Sequence, residues 1–222
     1  MNKHVHFSID DVGKSLRYLT RSRPTSMFDL RFFGTLKHWH ETFGINVTLY
    51  CYAMLEDFLI SEIPDCYGDE LKKSNTWLSF GFHSKCSLPF VKETGYAAGF
   101  ELCQQAFERL GVGKTNTLRL HSWLATKEQK DFLYANGIKT LLYPDNDNHP
   151  YQSDDTFSEA GLAHQRTHVW IEKLDAITNE LLCIGKEKVI VFTHEWCFDE
   201  NLDKIGRLFS IYKDNGYIFN EG

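Results

Sequence analysis

Phe7-Ser8-Ile9-Asp10-Asp11-Val12-Gly13 is an apolar, β-prone run that ends in two adjacent carboxylates and a glycine. Val5 to Ile9 reads as a strand, so the acidic pair stands where that strand runs out. The C-terminal ends of parallel strands are where β/α barrels carry their chemistry. The fold therefore turns on whether the chain repeats this unit.

It does. Met27 to Phe43 brings apolar side chains back at helical spacing (Leu30, Phe33, Leu36, Trp39, Phe43), and Gly44 follows as a stop. Ile45 to Tyr52 reads as a second strand and Thr76 to Phe82 as a third, which runs into His83. Tyr96 to Leu110 is helical, and Thr117 to Leu120 is a short strand ending at His121. Thr126 opens a helix with a capping-box pattern that Gly137 closes. Ile138 to Tyr143 is again a strand, and Pro144 to Asp155 a long polar loop at the rim. A weak strand signal at Thr167 to Ile171 precedes a helix over Glu172 to Ile184 and a buried strand over Lys188 to Thr193. Asn201 to Asn215 is a helix, and Tyr217 to Phe219 a last strand. Strands alternating with helices require parallel pairing through crossovers. Seven or eight such units predict an α/β fold, a distorted (β/α)7–8 barrel with parallel strands, as a single domain over residues 1–222.

The bulk properties agree and exclude other classes. With 222 residues, 42% hydrophobic and 14% aromatic, the chain can bury a full core. A net charge of −6 disfavours nucleic acid as a partner. No window approaches the roughly 18 apolar residues of a membrane span, and the opening residues lack a signal peptide, so the expected location is cytoplasmic. Six scattered cysteines with no Cys-x-x-Cys pair read as free thiols.

Four strand ends carry reactive groups: Asp10 with Asp11, His83, Arg119 with His121, and His194 with Glu195. A carboxylate with imidazoles suits zinc or a similar divalent ion, and a second carboxylate beside it can take a proton from water. That combination reads as metal-assisted hydrolysis. Trp123 and Trp196 each follow a histidine by two residues and read as walls of a sugar-binding pocket or as core packing. Gly111-Val112-Gly113-Lys114-Thr115 ends like a phosphate-binding loop but follows a helix, so it reads as a helix stop. His164 and His168 read as surface or rim residues, and His6 as a buried histidine below Asp10.

These segments resemble the motifs of the polysaccharide deacetylase family (carbohydrate esterase family 4, NodB-like). Its opening Thr-Phe-Asp-Asp-Gly is matched by Ser8-Ile9-Asp10-Asp11-Val12-Gly13 with one inserted residue. Its histidine motif resembles His83-Ser84-Lys85-Cys86-Ser87, its Arg-x-Pro-Tyr run resembles Arg119-Leu120-His121-Ser122, and its final histidine motif resembles Phe192-Thr193-His194. The resemblance implies Asp10 as catalytic base and Asp11 and His83 as metal ligands; charge development in amide hydrolysis then suits Arg119 to orient Asp10 and His194 to protonate the leaving amine. The implied activity is removal of an acyl group, an acetyl above all, from the amine of a small glycan or sugar derivative by a metal-activated water. Zinc is the first choice of ion, with nickel, cobalt and manganese as alternatives.

Ser87 stands where the family places its second metal-binding histidine. Three outcomes follow from that departure. His121 supplies the missing imidazole, an arrangement that resembles the YdjC-type deacetylases; or water completes the sphere; or the metal is lost. In the last case the chain is a catalytically silent, carbohydrate-binding relative.

Overall fold

The first strand, Lys3–Val12, is the central member of a parallel sheet in the computed structural model, which describes residues 3–143 and 155–219. On one side it pairs with Lys188–His194, in a register that sets Asp10 opposite His194. On the other it pairs with Val47–Tyr52, while Tyr217–Phe219 lies beside its first residues. Val47–Tyr52 pairs in turn with Leu78–Ser84, and that strand with Gly113–Lys114.

Two kinked strands then close the ring. The chain that pairs as Gly113–Lys114 continues into Thr117–Leu118, which pairs with Thr140–Tyr143. Leu162–Arg166 pairs with Thr140–Tyr143 and leads into Val169–Trp170, which pairs with Lys188–His194. All these pairings are parallel, so the expected distorted barrel is the observed one. No helix among the described residues is long and apolar enough to cross a membrane.

Strand parity separates the two faces of the wall. Phe7 points outward and meets Phe209 of the C-terminal helix at 4.9 Å between ring centroids. His6, Ser8 and Asp10 point inward and are buried. The interior is polar and crowded: the Tyr50 hydroxyl lies 3.5 Å from His6, and Thr48 lies 3.0 Å from Ser79. At Gly81 a Cβ would come within 2.8 Å of the Tyr50 ring, so only glycine lets that ring into the barrel.

Several local expectations are corrected. The helix expected over Met27 to Phe43 is broken at Leu30, which is extended. A short turn at Met27–Asp29, closed by a Ser26–Asp29 capping box, precedes α2 at Arg31–Phe43. A helix at Lys14–Ser22 (α1) lacks a local capping side chain, and the carboxylate of Glu195 closes it instead, accepting from the backbone N–H groups of Gly13, Lys14 and Ser15 at 3.0, 2.8 and 2.6 Å. Glu195 is thus occupied in holding α1, although its place at a strand end made it a candidate for chemistry.

The helix expected over Glu172 to Ile184 is absent apart from one turn at Ile171–Lys173. Lys204 takes the carbonyls of Ile171 and Leu174 at 3.3 Å each, and Glu172 turns inward to the last long strand. Tertiary bonds outweigh helical propensity there. His164, expected at the surface or rim, is buried in the Leu162–Arg166 strand between the rings of Tyr143 and Phe157 at 4.9 and 4.4 Å. The loop expected over Pro144 to Asp155 falls on 144–154, outside the described residues, apart from its last residue.

Candidate metal centre

Adjacent residues of a regular strand point to opposite faces, so Asp10 and Asp11 could not both serve one site from an unbroken strand. The pairing with Val47–Tyr52 slips by one residue between Ile9 and Val12, and Asp11 adopts a φ of +60°. Aspartate tolerates this left-handed region better than most residues. The bulge leaves Asp10 fully buried and turns the Asp11 carboxylate over the barrel mouth, 14% exposed. The next strand does the same: Cys51 pairs with Phe82 and Tyr52 with Ser84, so His83 is an extra residue in its strand.

The result is a cluster of donors from three strand ends. Asp11 Oδ1 lies 3.1 Å from His83 Nε2 and 3.2 Å from His121 Nδ1. His83 Nδ1 donates to the Arg119 carbonyl at 2.6 Å, which leaves Nε2 as the atom facing Asp11. The three ligand atoms lie within 4.8 Å of one another, a group that could hold a metal ion. Zinc bonds to nitrogen and oxygen of about 2.0–2.1 Å place tetrahedral ligands about 3.3 Å apart. The spacing and the mixed N/O donor set therefore both fit a divalent ion. His121 stands in the cluster, and Ser87 is exposed and outside it.

Tyr52 went unnoticed in the sequence. Its hydroxyl donates to Asp11 Oδ1 and lies 2.9 Å from His121 Nδ1. Burial and the Asp11 charge push the phenol well above its ordinary pKa, so it remains a donor. Its only sequence signal was a polar-tipped aromatic at the end of the second strand.

Behind this cluster sits a buried ion pair. Arg119 Nε is 3.3 Å from Asp10 Oδ2, both side chains are 0% exposed, and the guanidinium lies 4.0 Å from the centroid of the Phe192 ring. Among the described residues, neither carboxylate oxygen of Asp10 has a hydrogen-bond partner. Burial pushes the Asp10 carboxyl above the usual range, against the opposing charges of Arg119, His83 and His194. A carboxylate raised in this way is a better proton acceptor than an ordinary one.

His194, in register with Asp10, is oriented by Glu172. One oxygen of that carboxylate accepts from the His194 backbone N–H at 2.6 Å and the Thr193 hydroxyl at 2.8 Å, and lies 3.3 Å from His194 Nδ1. Burial would raise Glu172, but these bonds outweigh it and hold the carboxyl below its usual range. No sequence pattern marks Glu172, which lies in a segment with helical propensity but only one helical turn. Trp196 is 63% exposed, stacks on His194 at 5.1 Å and donates its indole N–H to Asp11 Oδ2 at 3.0 Å. Trp123 packs against Trp170 and Phe192 at 5.5 and 5.6 Å, so part of its ring belongs to the wall.

The cluster has a pH signature. Burial opposes the charge on His83, yet the bond to Asp11 and the charges of Asp10 and Asp11 outweigh it and raise its pKa. Burial likewise opposes charge on Asp11, and bonds from His121 and His83 outweigh it and lower its pKa. A raised histidine contributes stability below its unfolded value of about 6.5 and loses it as pH rises through the folded value; a lowered carboxylate contributes above about 3.9 and loses it as pH falls. Protein stripped with a chelator is therefore expected to melt at lower temperature as pH rises from 6 towards 9, and saturating zinc is expected to remove that decline. A flat melting curve for the stripped protein over this range would contradict the assignment.

No protein-family model matches the sequence, and no curated protein does. Solved structures match across the whole chain. The Bc1960 peptidoglycan N-acetylglucosamine deacetylase superposes with a TM-score of 0.62 over 99% of this chain and 86% of its own, at 12% identity. A family 4 acetyl xylan esterase from Clostridium thermocellum, solved with a cobalt ion, superposes at 0.58 over 98% and 87%, at 11% identity. The chain has the fold of the polysaccharide deacetylases. Nothing in the comparisons points to the YdjC type in particular. The deacetylase fold is a distorted (β/α) barrel; this chain also superposes on the 4-alpha-glucanotransferase from Thermococcus litoralis at 0.67, over 99% of this chain and 39% of that one, at 11% identity. Since fold alone does not determine activity, the chemistry must be argued from the cluster.

Proposed function

We propose that this protein is a divalent-metal-dependent hydrolase that removes an acyl group, an acetyl above all, from the amine of a sugar or small glycan. The observation that carries the reading is the convergence of Asp11 Oδ1, His83 Nε2 and His121 Nδ1 at coordination spacing, with the Asp10 carboxylate, paired with Arg119 but without a hydrogen bond among the described residues, buried behind them. When bound, the ion supplies Lewis acidity to the amide carbonyl and lowers the pKa of water. Zinc suits a set of one carboxylate and two imidazoles.

The remaining steps belong to the side chains. Asp10 accepts the proton of the attacking water, and Arg119 keeps it in place. His194, held through Glu172, returns a proton to the leaving amine. Trp196 offers an exposed aromatic face beside His194 and Asp11 for a sugar ring.

The test is amine release from N-acetylated glucosamine oligomers by chelator-treated protein, alone and after addition of zinc, cobalt, nickel or manganese. Hydrolysis is expected only with an added ion, and only while Asp11 and His83 are intact. Protein that binds the oligomers but takes up no ion would instead be the silent carbohydrate-binding relative.

A further inference from the structure

Tyr52 joins two observations that the proposed reaction does not use. First, its single hydroxyl reaches two of the three metal-ligand atoms, donating to Asp11 Oδ1 and lying 2.9 Å from His121 Nδ1. Second, its ring is locked. Tyr52 is 4% exposed, and its ring stands edge-on to His83 at 5.4 Å and to His121 at 5.5 Å. It is paired with Ser84 at the point where the extra residue His83 enters the neighbouring strand. A phenol on so rigid a base cannot follow its partners, so its partners are placed by it.

We propose that Tyr52 is a positioning residue of the metal centre, whose hydroxyl holds the Asp11 oxygen in place for coordination before an ion arrives. Asp11 most needs such support. Its backbone is in the left-handed region, its carboxylate projects over the barrel mouth, and among the described residues its hydrogen bonds apart from that of Tyr52 come from the two histidines and the exposed Trp196. Ligating carboxylates held by an outer hydrogen bond bind their ions more tightly, and loss of that bond costs about 10–100-fold in affinity. The inference rests on the metal-centre reading above.

Tyr52→Phe keeps the ring and removes only the hydroxyl. Affinity for zinc and cobalt is measured by competition with a chromophoric chelator, on wild type, Tyr52→Phe and Asp11→Asn. The expected result is an ion bound by wild type, a loss of binding in Asp11→Asn, and a dissociation constant about 10–100-fold higher in Tyr52→Phe. The melting temperature of chelator-treated Tyr52→Phe is expected to move by no more than about 4 °C, as for the loss of one hydrogen bond. Saturated with cobalt, the variant is expected to keep the visible absorption bands of wild type, since the ligand set is unchanged.

The outcomes separate the two readings. An affinity within about threefold of wild type overturns the role of Tyr52 and leaves the metal centre standing. Cobalt bands altered in position or intensity make the hydroxyl a ligand, which overturns the positioning role. Wild type that binds neither ion overturns the metal reading and this inference together.

Discussion

Asp10→Asn is expected to lower the rate of amide hydrolysis by about 10²–10⁴-fold while the protein still takes up its full complement of metal. Asparagine has the shape of the carboxylate but accepts no proton at working pH. The proposed ligands are other residues, so the two functions separate at this position. The raised pKa of Asp10 sharpens the expectation: wild-type activity falls as the carboxyl becomes protonated on the acid side, and the variant loses that limb of its pH–rate profile. The measurements are steady-state kinetics over pH and metal content by elemental analysis. A fall of less than tenfold with metal retained would remove Asp10 from the mechanism.

Arg119→Leu is expected to destabilise the protein by about 3–5 kcal/mol, or roughly 6–20 °C in melting temperature. Asp10 and Arg119 are both 0% exposed, and Asp10 has no hydrogen bond among the described residues to replace the guanidinium. Leucine leaves a buried carboxylate without its counter-ion. The sign of the pH dependence follows. Loss of Arg119 raises the folded pKa of Asp10 further, so the penalty is smaller at acid pH, where the carboxyl protonates, and larger as pH rises. Urea unfolding at pH 5 and pH 8 measures this, and Asp10→Asn in the same background is expected to recover part of the loss at pH 8. Equal destabilisation at both pH values would mean that packing on Phe192, and not charge, is what Arg119 supplies.

The strand ends were legible in the sequence because each is a β-prone run that stops at a polar residue, a pattern fixed by local chemistry. So were the helices whose caps are local, such as Tyr96–Leu110 and Lys127–Ala135 with its Thr126 and Gln129 cap. What the sequence hid depends on distant partners. The α1 helix is capped by a carboxylate 180 residues away in the chain. Glu172 reaches His194 from a non-helical segment whose Ile171 and Leu174 carbonyls are tied to Lys204. Tyr52 looks like any strand aromatic until Asp11 and His121 are folded onto it. The adjacent acids could be read, but not the means by which both face the same place.

That means is a one-residue offset of backbone, made twice, in the strands that carry Asp11 and His83. For anyone wishing to move this centre into another barrel, the portable unit is therefore not the string Asp-Asp followed at a distance by His. Set at the ends of unbroken strands, the same letters would aim one acid inward and send the other out under the helices. What must be transplanted is a pair of miscounted ladders, with a residue at each slip that accepts the turn, and the side chains come second.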